Sequence, residues 1–172
     1  MKFYVKITFF LLILSSVSCL KLESYPNEPE IEYLDFISDG NTATISFSFT
    51  DGDGNIGLSQ DQLDPPFDTS SFFYYNLYIN YFEMMNGSWV RGTADPLGNN
   101  FPTADSITFA YRLENITPIG QNKALKGEIE ITMEPYYFNS YSNHNDSIRY
   151  EIMLIDRSKN ISNIIQSPLI ER

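Results

Sequence analysis

The sequence predicts an all-β protein, an antiparallel β-sandwich of seven or eight strands, and three observations predict it. Residues 41–50 alternate without interruption: Ala43, Ile45, Phe47 and Phe49 are apolar, and Thr44, Ser46, Ser48 and Thr50 carry hydroxyls. A period of two with one apolar face is the pattern of a half-buried strand. Aromatic residues make up 15% of the chain, which favours strands over helices. Turn signals separate one short apolar run from the next, and no amphipathic run of helical period interrupts them. At 172 residues the chain holds one domain with extra segments.

The first segment reads as export machinery. Lys2 and Lys6 precede the apolar run Ile7 to Leu14, and the small residues Ser15, Ser16 and Ser18 lead to Cys19. A basic start, a short apolar centre and a small-residue cut are the parts of a secretory signal, too short to span a bilayer. Residues 1–18 are therefore assigned as a lipoprotein signal peptide. Cys19, the single cysteine, becomes the first mature residue and the lipid-bearing one, although Ser16 stands where a lipobox usually has Leu. The alternative is an ordinary cleaved signal beside a free thiol. Residues 19–30, with Pro26 and Pro29, form an extended spacer. The expected location is the cell envelope, as an outer-membrane lipoprotein, with the periplasmic or surface face left open.

Residues 31–172 form the β-sandwich. Ile31 to Ile37 supplies a weak first strand and residues 41–50 the second. Phe72 to Glu83 is a longer run with Phe73, Tyr75, Leu77, Ile79 and Tyr81 on one face. Asn86-Gly87, before Trp89, signals a tight hairpin. Further alternation at Ser106 to Leu113, Gly127 to Glu134 and Ile148 to Asp156 adds strands, and Ile161 to Ile170 closes the set, with Pro168 marking an edge. Leu58 to Ser71 and Gly92 to Asp105 are long loops rich in Pro, Gly, Asp and Asn.

Three phrases carry a resemblance. Phe-Ser-Phe-Thr-Asp-Gly-Asp-Gly-Asn-Ile-Gly-Leu (47–58), Asn-Lys-Ala-Leu-Lys-Gly-Glu-Ile (122–129) and Asp-Arg-Ser-Lys-Asn-Ile-Ser-Asn (156–163) resemble a family of uncharacterised Bacteroidota-type lipoproteins with an immunoglobulin-like or fibronectin-III-like domain. The likeness covers most of residues 30–170. It implies the sandwich fold and an envelope location, and it brings no activity with it.

Asp51, Asp53 and Asn55 place three side-chain oxygens at alternate positions directly after a strand. Calcium takes six to eight hard oxygen ligands, and intervening glycines let such a loop curl round the ion. This is not an EF-hand, because Ile56 and Gln62 stand where that motif needs Gly and Glu. Turn-forming residues of the same types are the plain alternative. Calcium is expected ahead of magnesium, since no phosphate ligand is implied. Under fibronectin-III topology the final hairpin would bring Asp156, with Asn160 nearby, to Asp51 and Asp53. A meander with one more strand would separate them, and the sequence leaves that parity open.

Exposed aromatics beside amides, Tyr74 and Tyr78 in one run and Tyr136 and Tyr137 in another, are candidates for facing a glycan or protein partner, against the reading that they pack under loops. A net charge of -11 repels phosphate backbones, so nucleic acid is not an expected partner. Catalysis has no apparent machinery: His144 is the one histidine, and no phosphate-binding Gly-rich loop follows a strand. The expected function is a non-catalytic, membrane-anchored binding or structural module with a calcium loop. The alternative is a glycan-binding accessory lipoprotein of an outer-membrane nutrient-uptake system.

Overall fold

Alternation in the sequence becomes two packed antiparallel sheets. The computed structural model describes residues 24–95 and 105–172, so Cys19 and the signal segment lie outside the described residues. One sheet holds β1 (Glu30–Asp39), β2 (Thr42–Asp51) and β6 (Leu125–Met133), in the order β1-β2-β6. The other holds β3 (Leu77–Met85), β4 (Ser88–Arg91), β5 (Thr108–Tyr111), β7 (Ser147–Leu154), β8 (Ile165–Gln166) and β9 (Ile170–Glu171). Its path runs β4-β3-β7-β8; β5 lies against the first half of β3 and β9 against the start of β7.

β2 is buried at every second residue along its whole length. Its inward side chains meet Leu77, Ile79 and Tyr81 of β3 and Ile148, Tyr150, Ile152 and Leu154 of β7 in one core. Leu77 pairs with Leu154, so β3 begins where β7 ends. The carboxylate of Glu83 also points inward at the far end of β3. It is fully buried and accepts hydrogen bonds from the Tyr81 hydroxyl (2.8 Å) and the Ser142 hydroxyl (2.6 Å).

Several boundaries differ from expectation for identifiable reasons. The run from Phe72 is not one strand: Phe72–Tyr74 form a 3-10 turn capped by the Ser71 hydroxyl, which accepts from the Phe73 N–H. Asn76 then bonds Leu113 through both its amide atoms before β3 starts. β1 is longer than Ile31 to Ile37, and its register shifts between Tyr33 and Asp35, which turns Leu34 outward. The closing run splits into β8 and β9 at Ser167-Pro168, where the Ser167 Oγ takes the Tyr150 N–H (3.0 Å) in place of a strand partner. With that split and the short β4, nine strands are present among the described residues. Asn86 and Gly87, at φ 52° and 80°, make the two-residue hairpin between β3 and β4.

Arg112 fastens the Leu58 to Ser71 loop. Its guanidinium donates to the carbonyls of Tyr74 (2.6 Å), Ser59 (3.2 Å) and Gln62 (2.7 Å) and lies 5.0 Å from the Tyr74 ring centre.

The two faces of β2 should respond very differently to truncation. Phe47→Ala, at a fully buried position, is expected to cost about 3–5 kcal/mol. Ser48→Ala on the other face should stay within roughly 0.5 kcal/mol. Urea unfolding monitored by near-ultraviolet circular dichroism reads both.

Candidate functional site

The alternation that builds the core delivers one carboxylate into one end of it, and the segment after β7 brings a second. On β2 the inward series Ala43, Ile45, Phe47, Phe49 continues to Asp51. β7 ends its inward series Ile148, Tyr150, Ile152, Leu154 just before Asp156, and Ile155 between them is buried too. Asp51 is 0% exposed and Asp156 2%. Both strand ends lie at one end of the sandwich, and Asp53 from the following loop joins them. One carboxylate oxygen from each of the three lies within 4.8 Å of the others.

Hydrogen bonds hold the cluster but do not fill it. Asp51 Oδ2 accepts the Asn55 N–H (2.8 Å), and Asp53 Oδ2 accepts from the Asn55 amide (2.9 Å), which also donates to the Ser158 hydroxyl (2.9 Å). Asn160 donates twice to Asp156, from its backbone and its side chain, each at 2.8 Å. Three oxygens remain: Asp51 Oδ1, Asp53 Oδ1 and Asn55 Oδ1 are buried without a donor. Buried acceptors are normally satisfied, and a cluster of hard carboxylate and amide oxygens is what a divalent cation coordinates. Asp51, Asp53, Asn55 and Asp156 thus stand together, while Asn160 orients Asp156.

Neighbouring segments brace the loop. Gly54 has φ +64°, and a Cβ there would fall 1.8 Å from the Lys123 carbonyl oxygen, so the close approach requires glycine. Gly52 N–H donates to the Pro26 carbonyl (2.7 Å), which ties the end of the spacer to the site. Arg157, overlooked in the sequence, spans the loops: its N–H reaches the Asn55 carbonyl (3.2 Å), and its guanidinium reaches the Gly57 carbonyl (2.9 Å), Asn115 (2.6 Å) and Thr117. No local pattern announces that reach, because its partners lie some 40 and 100 residues away.

Burial pushes the Asp51 carboxyl up to about 6; the Asn55 N–H opposes this, and the charges of Asp53 and Asp156 add to it. Burial also raises Asp156, against the pull of the Asn160 hydrogen bonds. Without a cation, the site stores electrostatic repulsion at neutral pH.

The aromatic candidates divide. Tyr137 is not ligand-facing: it is 4% exposed, packs edge-on against Phe36, and its carbonyl takes the Tyr150 hydroxyl. Its place in the core follows from the turn after β6, which folds it inward under β1. Tyr74 lies half-buried beneath Arg112, so its ring face is already occupied. Tyr136 is exposed and lines a hollow of about 450 Å³ with Phe109, Phe138 and Tyr141. Tyr78 points out from β3 into a second groove of about 450 Å³, lined also by Phe72, Tyr75, Asn80, Arg91 and Thr108.

No family model and no curated protein matches the chain. Among solved structures, the crystal structure of wild type OgpA from Akkermansia muciniphila is similar at 13% identity, over 90% of this chain and 30% of that one, with a TM-score of 0.36. Among the described residues no helix is long and apolar enough to cross a membrane.

The raised Asp51 carboxyl sets a signed pH dependence. A folded-state value near 6, above the unfolded value of about 3.9, means that folding retains a proton. The resulting stabilisation is full below pH ~4 and is lost as pH rises through ~6. In chelator, Asp51→Asn should therefore melt higher than the parent at pH 7.5, and the difference should vanish near pH 4. Differential scanning fluorimetry across that range checks it.

Proposed function

We propose that the protein is a non-catalytic lipoprotein of the cell envelope, anchored through lipid on Cys19, whose immunoglobulin-like or fibronectin-III-like sandwich carries a calcium centre formed by Asp51, Asp53, Asn55 and Asp156. The observation that carries the calcium centre is the set of buried, donorless oxygens on Asp51, Asp53 and Asn55 beside the Asp156 carboxylate. Calcium fits this donor set better than magnesium, because it accepts carboxylate and amide oxygens in a flexible shell and gives up its water readily. The order β1-β2-β6 against β4-β3-β7-β8 supports the finer fold type. The anchor rests on the signal-like run before Cys19, and the non-catalytic reading on the absence of a histidine or thiol pair from the composition. In this role the ion ties the end of the spacer, the β2 loop and the β7 loop into one rigid end, so the domain is held at a defined attitude to its tether. A second reading, a glycan-binding accessory of outer-membrane nutrient uptake, is favoured by the aromatic groove around Tyr78.

At a calcium concentration about 100 times the dissociation constant, binding to the folded state alone adds about 2.7 kcal/mol. For a domain of this size that is a rise of roughly 5–10 °C in Tm. Asp53→Asn and Asp156→Asn should each abolish most of the rise, and calorimetric titration that detected no calcium heat in the parent would remove the centre. Growth with an alkyne fatty acid should label the parent and leave Cys19→Ala unlabelled; an unlabelled parent would remove the anchor.

A further inference from the structure

The outer face of the second sheet holds a groove whose chemistry differs from the rest of the molecule. On β3 the outward residues are Tyr78, Asn80 and Phe82, and the neighbouring strands place Ala110 beside Tyr78, Thr108 beside Asn80 and Arg91 beside Phe82. One wall is aromatic and rigid. Phe72 and Tyr78 stack with ring centres 5.0 Å apart and planes 5° from parallel, the Tyr78 hydroxyl donates to the Phe72 carbonyl, and Tyr75 sets its edge to Tyr78 at 6.3 Å. Phe72 remains 52% exposed and Tyr75 39%.

The other wall is a polar fork. Arg91 Nη2 donates to Asn80 Oδ1 (2.5 Å) and Thr108 Oγ1 (2.9 Å), and Thr108 donates to the same Asn80 oxygen (3.0 Å). These bonds fix the guanidinium and leave its Nη1 and Nε hydrogens uncommitted among the described residues. No carboxylate lies within ion-pair distance of it there; the ion pair present is Arg149 with Glu151 at 3.7 Å. Among the described residues Arg91 is also the only charged one lining the groove, with Glu151 the neighbour of Asn80 on the next strand, in a chain with 22 acidic residues and 11 basic ones. A fixed, solvent-facing cation in an acidic protein selects an anion, and a guanidinium edge matches a carboxylate with two parallel hydrogen bonds.

We infer that this groove binds a uronic acid unit of an acidic glycan, its ring face on Phe72, with the Tyr75 ring standing nearly at right angles beside it, and its carboxylate on Arg91. The inference rests on the glycan-binding reading and names its ligand class. Pyranose C–H faces pack on flat rings of this kind, the Asn80 Nδ2 and the second lone pair of Thr108 Oγ1 are left for ring hydroxyls, and the groove volume suits one or two sugar units. An acidic peptide fits less well. Extended peptides bind by adding a strand, which here would engage the outer edge of β4 or β5 and not the groove, whose floor is the face of β3 with both its edges paired, so a ligand lying in the groove meets side chains alone.

The test is calorimetric titration of the full chain in detergent and calcium-saturated buffer with three matched probes: trigalacturonate, maltotriose and a triglutamate peptide. Trigalacturonate should bind, and Arg91→Gln and Phe72→Ala should each weaken it by roughly tenfold or more while leaving the circular dichroism spectrum of the fold unchanged. Equal binding of maltotriose would overturn the uronic acid assignment and leave the glycan reading standing. Equal binding of triglutamate would show that charge alone is recognised and overturn the sugar site. Failure of every probe, or uronate binding that survives both substitutions, would overturn the groove as the site.

Discussion

Two inward-pointing carboxylates at one end of the core are the constraint on which the rest of this protein turns. A strand cannot choose the face of one residue without choosing the face of all, because successive side chains alternate. Extending the apolar series of β2 by one step therefore buries Asp51, and Asp156 joins it just past the end of β7, where Leu154, Ile155 and Asp156 are all buried. Glu83 shows the ordinary solution at the other end of the sandwich, where hydroxyl donors meet each of its oxygens. At the Asp51 end the donors stop short: among the described residues, one oxygen each of Asp51, Asp53 and Asn55 is buried without them, and the carboxylates of Asp51, Asp53 and Asp156 crowd within 4.8 Å. Like charges crowded together in a buried site disfavour ionisation, and the proposed calcium is the partner that would turn that repulsion into cohesion.

The surroundings of this end are built to hold an open loop still. Arg157 reaches across three segments, the Lys123 carbonyl presses on Gly54, and the Gly52 N–H takes hold of Pro26. Each contact joins residues distant in sequence, so the loop after β2 is positioned by tertiary contacts more than by its own turn preferences. Because Pro26 lies in the spacer, the end of the domain nearest its proposed tether is also the end where the charges gather.

β3 divides its labour between two faces. Inward it supplies Leu77, Ile79, Tyr81 and Glu83 to the core; outward it supplies Tyr78, Asn80 and Phe82 to an open surface. Farther along that surface Arg149 lies between Phe82 and Trp89, 5.3 and 4.7 Å from their ring centres. That cation is covered by rings and paired with Glu151. Among the described residues Arg91 has neither a ring over it nor a counter-ion, which is what separates a structural arginine from one available to a ligand.

Much of the architecture was legible in the residues themselves. Alternation at Ala43 to Phe49 located β2, Asn86-Gly87 located the β3–β4 hairpin, and Pro168 marked the edge, because these signals are local and need only the geometry of a strand or turn. Residue chemistry alone likewise brought Asp51, Asp53 and Asn55 forward as one oxygen-bearing loop. Local signals misled where a neighbour decided the outcome: Asn76, bonded to Leu113, ended the strand expected from Phe72, and the turn after β6 carried Tyr137 into the core. Only the tertiary structure decided that Asp156 meets Asp51, that Arg157 braces the loop, and that Phe72 and Arg91 face one groove. Period two tells a residue which side of its own sheet it occupies; which ends of two sheets coincide depends on how the chain crosses between them, and that is set by packing of the whole.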